Sequence, residues 1–181
     1  MVKLRLLFVI WTLLLCVLIP LAAHGTTIEQ YDNDYNSLSV EQQEFIQWVY
    51  DFGKPYNLQW TLAAKVWEES QCGLQVISER THPVYGKDYG ITQINIHWLL
   101  VAHNLPDTPF NRSKYATKLV RDDVYCLLET INNIRHWECL KKSWQSYRFV
   151  WAHYNGGTTP NWDYAERIAK RIRVLTKYIM E

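Results

Sequence analysis

The sequence has almost no excess of either charge. With 19 basic and 18 acidic residues its formal net charge is +1, so no field draws it to nucleic acid or to a strongly anionic surface, and no nucleic-acid partner is expected. Clustered metal ligands are missing too. The six histidines are scattered and no Cys/His group has zinc spacing, so neither a metal nor a cofactor is expected. There is no phosphate-cradling glycine loop, no Ser/His/Asp arrangement on a recognisable elbow, no internal repeat and no low-complexity tract. These absences set aside the nucleotide-binding loops, triad hydrolases and repeat architectures that such patterns announce. At 181 residues, less an N-terminal segment, the chain has room for one core and no second domain.

What is present begins at the N-terminus. Lys3 and Arg5 precede an apolar run over 6–23 that ends in Ala23-His24-Gly25, with small residues where a signal peptidase reads. Residues 1–25 are therefore predicted to be a secretory signal, cleaved near Gly25, that carries the protein across the inner membrane to the periplasm or the exterior. The run is about 18 residues, near the lower limit for spanning a bilayer, and Pro20 disturbs its end; retention as a membrane anchor is the alternative. Residues 26–38 are polar, rich in Asn and Asp, and read as an exposed lead-in that needs no order, with the domain over 39–181. Cys16 falls in the signal, which leaves Cys72, Cys126 and Cys139. An odd number in an oxidising compartment predicts one disulfide and one free thiol. A single helix through Cys126 and Cys139 would hold them beyond bonding reach. The expected bond therefore starts at Cys72, with Cys139 ahead of Cys126 as its partner.

Helical periods dominate the remainder. Ser39 and Gln42 form a capping-box pattern ahead of a face made by Phe45, Ile46, Val49 and Tyr50, and Gly53 and Pro55 end that helix. In the next helix Leu58, Leu62, Ala63, Val66 and Trp67 make an apolar stripe, with Ala64, Lys65 and Glu68 on the other side. Glu69 returns almost over Leu62, at the edge of the stripe. Packing would draw its carboxyl out of water, raise its pKa and suit it to donate a proton. Glu68 is expected to stay in water. The plainer alternative is an i,i+4 ion pair between Lys65 and Glu69 on a solvated face. Gly73 is a credible stop for this helix. Over 74–89 the period is lost, and Pro83, Gly86 and Gly90 predict a small, irregular, strand-bearing lobe. A loop is expected over 105–112. Asp122 or Asp123 then caps a helix with Val124, Leu127, Leu128, Ile131 and Ile134 on its buried stripe. Trp144, Tyr147, Val150, Trp151 and Tyr154 form another face that stops at Asn155-Gly156-Gly157. Pro160 and Asp163 open the last helix, with Tyr164, Ala165, Ile168, Ile172, Leu175 and Ile179 inward and Arg167, Lys170, Arg171 and Arg173 outward. The predicted fold class is mainly α, of α+β type. Nine Trp and twelve Tyr are many for this length; some fill that core, and others offer large rigid faces for stacking at little entropic cost.

Four short motifs occur in a telling order: Glu69-Ser70, then Tyr89-Gly90-Ile91-Thr92-Gln93-Ile94-Asn95, then His153-Tyr154-Asn155-Gly156-Gly157, then Tyr164-Ala165 with Ile168. In this the chain, over about 58–168, resembles the lysozyme-like lytic transglycosylases that cut peptidoglycan, above all their small secreted members. The resemblance implies a lysozyme-like domain with its strand-bearing lobe beside a cleft, Glu69 as sole acid/base, and glycan strands of peptidoglycan as the partner. An envelope-spanning assembly is a further partner it allows. Substrate contacts are then expected from Ser70, Asp88, Tyr89, Gly90, Gln93 and Asn95 along the groove and from Tyr154, Asn155 and Tyr164 on its floor, with Tyr154 placed to meet Glu69. Gly90 would bring backbone close to a sugar ring, and Gln93 and Asn95 would serve hydroxyls and acetamides. By sequence physics Asn95 equally caps a helix through Trp98, Leu99 and Leu100. Three departures stand out: Cys72-Gly73 where a proline is usual, Thr92 for Met, and Gly156 for Ala. Glu69-Ser70 with Asp88-Tyr89-Gly90-Ile91, Gln93-Ile94-Asn95 and Trp98 is also similar to animal-type lysozymes. There Asp88 would be a second carboxylate, about 5–5.5 Å from Glu69 for retaining hydrolysis. A reading of another class, a glycan-binding or envelope-assembly module that does not cut, also remains open.

Overall fold

The computed structural model describes residues 27–179, so the expected signal segment lies outside the described residues. The helices in chain order are α1 (Ile28–Asn36), α2 (Val40–Gly53), α3 (Gln59–Ser70), α4 (Ile96–Ala102), α5 (Pro109–Arg121), α6 (Asp123–Leu140), α7 (Arg148–Gly156) and α8 (Trp162–Tyr178). Between α3 and α4 run β1 (Asp88–Tyr89) and β2 (Ile94–Asn95), antiparallel, with Asp88 opposite Asn95 and Tyr89 opposite Ile94. The protein is thus mainly helical with one small sheet among the described residues. None of its described helices is long and apolar enough to cross a membrane.

Local chemistry sets most of the boundaries. Ser39 and Gln42 form the expected reciprocal capping box at α2, and a 3-10 turn over Lys54–Tyr56 follows Gly53. Asp122 caps α6 through the Tyr125 amide, and Asn161 caps α8 through that of Tyr164. α3 stops by entering the left-handed region at Gln71, Cys72 and Gly73.

α3 is the element on which the core is built. Leu58, at its N-cap, and Leu62 and Val66 pack with Val49, Ile91, Leu100, Leu119, Leu127, Ile134 and Val150. Ala63, Ala64 and Trp67 belong to a second cluster with Ile46, Tyr50, Tyr164, Ile168, Leu175, Tyr31 and Tyr35. Apolar neighbours on both sides bury every residue over 61–67, so the one-sided stripe is corrected: Ala64 and Lys65 lie inside.

Five further expectations are corrected by the structure. The lead-in over 26–38 is not unstructured: Thr27 caps α1, and its Tyr31 and Tyr35 are buried, Tyr35 stacking on Tyr178 of α8 at 4.4 Å between ring centroids. The loop over 105–112 yields to α5 at Pro109, whose fixed φ suits a first helical turn. On α6 the buried stripe is Cys126, Leu127, Thr130, Ile131 and Ile134, while Val124 and Leu128 are exposed. Trp144 precedes α7 and is 77% exposed. The expected disulfide is absent. Cys72 is a buried thiol in the second cluster, Cys126 is buried against Thr92 at 3.2 Å, and Cys139 is exposed at the end of α6.

Candidate active site

Glu69 stands in the last turn of α3 with its side chain 14% exposed, a carboxyl largely withdrawn from water. Its Oε1 accepts a hydrogen bond from the Tyr164 hydroxyl of α8 at 2.6 Å and another from Lys65 Nζ, one turn earlier, at 3.3 Å. Lys65 is only 1% exposed. Its ammonium also donates to the Tyr164 oxygen at 2.7 Å and lies 3.3 Å from the centroid of the Tyr154 ring on α7. Side chains of three helices therefore meet at the Lys65–Glu69 pair. The Lys65–Glu69 pair forms as its spacing allows, but in the interior rather than on a solvated face.

Burial governs the proton affinities. Desolvation pushes the Glu69 carboxyl above its ordinary value against the opposing pull of Lys65 and Tyr164. Desolvation likewise lowers Lys65 to about 8, despite the adjacent carboxylate. Tyr154 and Tyr164 are raised, first by burial and next by the charge of Glu69, so both hold their protons through the neutral range. The result is a carboxyl that gives up its proton less readily than a solvated one, next to a permanent hydroxyl donor.

Glu68 departs from expectation. It is held by Arg167 Nε at 2.6 Å and Arg171 Nε at 2.7 Å, and Arg171 lies over the Trp67 ring at 4.3 Å and the Tyr31 ring at 5.0 Å. The basic face of α8 is thus partly turned onto α3 and α1, not wholly toward solvent.

No protein-family model, curated protein or solved structure matches the chain. The site therefore rests on its own geometry.

Of the other expected groove residues, Tyr164 takes the place anticipated for Tyr154: it is the hydroxyl that meets Glu69. Tyr154 instead lays its ring over Lys65 and points its hydroxyl at the Thr92 carbonyl, 3.5 Å away. Ser70 is buried and serves the helix end, donating to the Val66 carbonyl at 3.1 Å and accepting from the Gly73 amide at 2.9 Å. Gly90, at φ +80°, faces protein rather than open groove: a Cβ there would stand 2.5 Å from Cys126 Sγ and 2.7 Å from the Leu119 carbonyl oxygen. Gln93, at φ 50°, donates its amide to the Gln75 and Gly90 carbonyls, both at 3.0 Å. Those bonds fix the turn between β1 and β2. Tyr89 is half-buried against the first cluster.

Asp88 and Asn95 form a unit of their own. Asn95 donates to Asp88 Oδ1 at 2.8 Å, and its own oxygen caps α4 through the amides of His97 and Trp98 at 3.2 and 3.4 Å. Burial raises the Asp88 carboxyl above its ordinary value, with Asn95 opposing. Asn155 is exposed and accepts from Asn161 at 2.7 Å. Among the described residues no group of His, Cys, Asp and Glu is arranged to hold a metal ion.

The residue that sequence reasoning undervalued is Lys65. Its one signal was position: a lone cation inside the apolar run Leu62-Ala63-Ala64-Lys65-Val66-Trp67, where a solvated lysine has little reason to be.

Proposed function

We propose that this chain is a lysozyme-like lytic transglycosylase that cleaves the β-1,4 bond between N-acetylmuramic acid and N-acetylglucosamine, with Glu69 as its single acid/base. The observation that carries the reading is the Glu69 carboxyl: 14% exposed, bonded to the Tyr164 hydroxyl at 2.6 Å, and raised in proton affinity by burial. In the reaction Glu69 gives its proton to the bridging oxygen, the glycosidic bond breaks, and positive charge develops on the anomeric carbon. The carboxylate left behind accepts the proton of the muramyl 6-hydroxyl, whose oxygen closes on C1 to give a 1,6-anhydro end. Glu69 returns to its starting state, and no water is consumed. The substrate is the glycan strand of peptidoglycan, met after secretion across the inner membrane.

The two-carboxylate hydrolase is the weaker reading. A nucleophilic or charge-stabilising Asp88 must be ionised, whereas burial disfavours its charge and Asn95 ties it to the sheet. The motif order supports Glu69 acting alone, as does its carboxyl, which burial holds above its ordinary proton affinity and which the Tyr164 hydroxyl meets. In the test, purified Glu69→Gln is compared with the wild-type protein for clearing of suspended cell walls. Clearing is expected to be lost while the far-ultraviolet circular dichroism of the folded protein is kept; clearing at the wild-type rate overturns the assignment.

A further inference from the structure

A lysine with 1% of its side chain exposed is costly unless its charge is satisfied, because an ammonium leaves water with a large desolvation penalty. Lys65 is satisfied by side chains of three helices, α3, α7 and α8. On its own helix it has Glu69 at 3.3 Å and the more distant charge of Glu68, itself held by Arg167 and Arg171 of α8. From α8 comes the Tyr164 oxygen at 2.7 Å and from α7 the Tyr154 ring at 3.3 Å; the nearby Cys126 thiol of α6, held protonated by burial and bonded to Thr92, adds no counter-charge. Three of these partners also touch, or are, the groups that surround the candidate acid.

We infer that Lys65 is a positioning residue that sets the charge of Glu69: a buried ammonium, held under the Tyr154 ring and bonded to both Tyr164 and Glu69, that brings the carboxylate back into reach for the second half of the reaction. The inference rests on the proposed acid/base cycle and extends it. Burial alone favours the protonated carboxyl and serves the first step. The second step needs a carboxylate that forms when the proton leaves and persists until the 6-hydroxyl gives up its own. Lys65 supplies an adjacent cation, strengthened in turn by the carboxylate once it forms, that favours that form, and the Tyr154 ring keeps the ammonium from turning away. Lys65 itself neither gives nor takes a proton in the cycle, so atoms and charges balance as already written. An opposite charge this close displaces a carboxyl titration by about 1–3 pH units, enough to move an acid/base residue out of its working range.

The test uses the protein in wild-type, Lys65→Met and Lys65→Arg forms. The titration of the Glu69 side-chain carboxyl is followed by carbon NMR, and the pH profile of glycan-strand cleavage is recorded beside it. Lys65→Met is expected to move the Glu69 titration up by about 1–3 units. The activity limb should shift with it, kcat should fall more than tenfold and KM should stay within about twofold, since no contact with the glycan is lost. Lys65→Arg is expected to restore most of the titration. If Lys65→Met leaves the carboxyl titration where it was, the inference is overturned even where cleavage falls. If wild-type protein cleaves nothing while the titration still moves, the proposed reaction fails and the charge-setting role stands. Should Lys65→Met not fold, the reciprocal measurement decides. Glu69→Gln should lower the Lys65 titration below its wild-type position, because coupling between two sites is mutual; an unchanged Lys65 overturns the inference.

Discussion

Replacing Tyr164 by Phe removes a single oxygen from the centre of the site. That oxygen, on a side chain 1% exposed, donates to Glu69 at 2.6 Å and accepts from Lys65 at 2.7 Å. Hydrogen bonds to charged groups contribute roughly 1.5–3 kcal/mol each, so the pair accounts for about 3–6 kcal/mol. The lower end is expected, because Lys65 keeps Glu69 and the Tyr154 ring. The bond to Glu69 favours the ionised carboxyl. Its loss, divided by about 1.4 kcal/mol per unit, raises the Glu69 titration by roughly 1–2 units. With the carboxyl protonated in both proteins this part of the difference vanishes; as pH rises through the Glu69 titration the variant falls further behind. Urea unfolding at about pH 4 and about pH 7 measures both parts. The expected result is a deficit at low pH that widens by about 1–3 kcal/mol at neutral pH. A deficit under about 1 kcal/mol, equal at both pH values, would refute the assignment of Tyr164 as the donor that holds Glu69.

Gly90→Ala tests whether that glycine serves packing: the left-handed backbone costs about 1–2 kcal/mol and the clash with Cys126 and Leu119 about 1–3 kcal/mol more. Chemical denaturation should show a loss of roughly 2–5 kcal/mol, and a loss under about 1 kcal/mol contradicts the contact. Lys65 titrates at about 8 against an ordinary 10.5. Its stability contribution is therefore present above the unfolded value and lost as pH falls through about 8. Between about pH 8 and pH 10 the wild-type protein should gain about 2 kcal/mol relative to Lys65→Met; parallel curves would show that the lysine is not desolvated. Asp88→Asn should retain cleavage to within about tenfold, because Asn95 holds the side chain and Glu69 carries the proton. A loss of a thousandfold or more, measured on soluble glycan strands, would favour the two-carboxylate hydrolase.

How much of this was legible in the sequence depended on whether one segment carried the information. Ser39 with Gln42, Asp122, and Asn95 before Trp98 each announce a helix start through their own side chains, and each caps as read. The draw of Glu69 out of water was also legible, since its place beside Leu62 is a property of one helix. Lys65 was not, because projecting a helix assumes a single buried face and α3 is covered on both by two apolar clusters. The clamp on Glu68 and the burial of Tyr31 and Tyr35 were hidden for the same reason: they depend on α8 crossing back over α1 and α3, a contact between residues far apart in the chain. The roles of Ser70 and Gly90 turned on what lies beyond each atom, Gly73 in one case and Leu119 and Cys126 in the other.

In the proposed reaction one carboxyl, with no second carboxylate taking part, first gives and then takes back a proton at a sugar bridge. Mass spectrometry of the muropeptides released from purified cell walls examines it most directly. The expected products end in 1,6-anhydromuramic acid, lighter by one water than reducing ends, and vanish with Glu69→Gln. Reducing ends from the wild-type protein, or anhydro products persisting in Glu69→Gln, would contradict it.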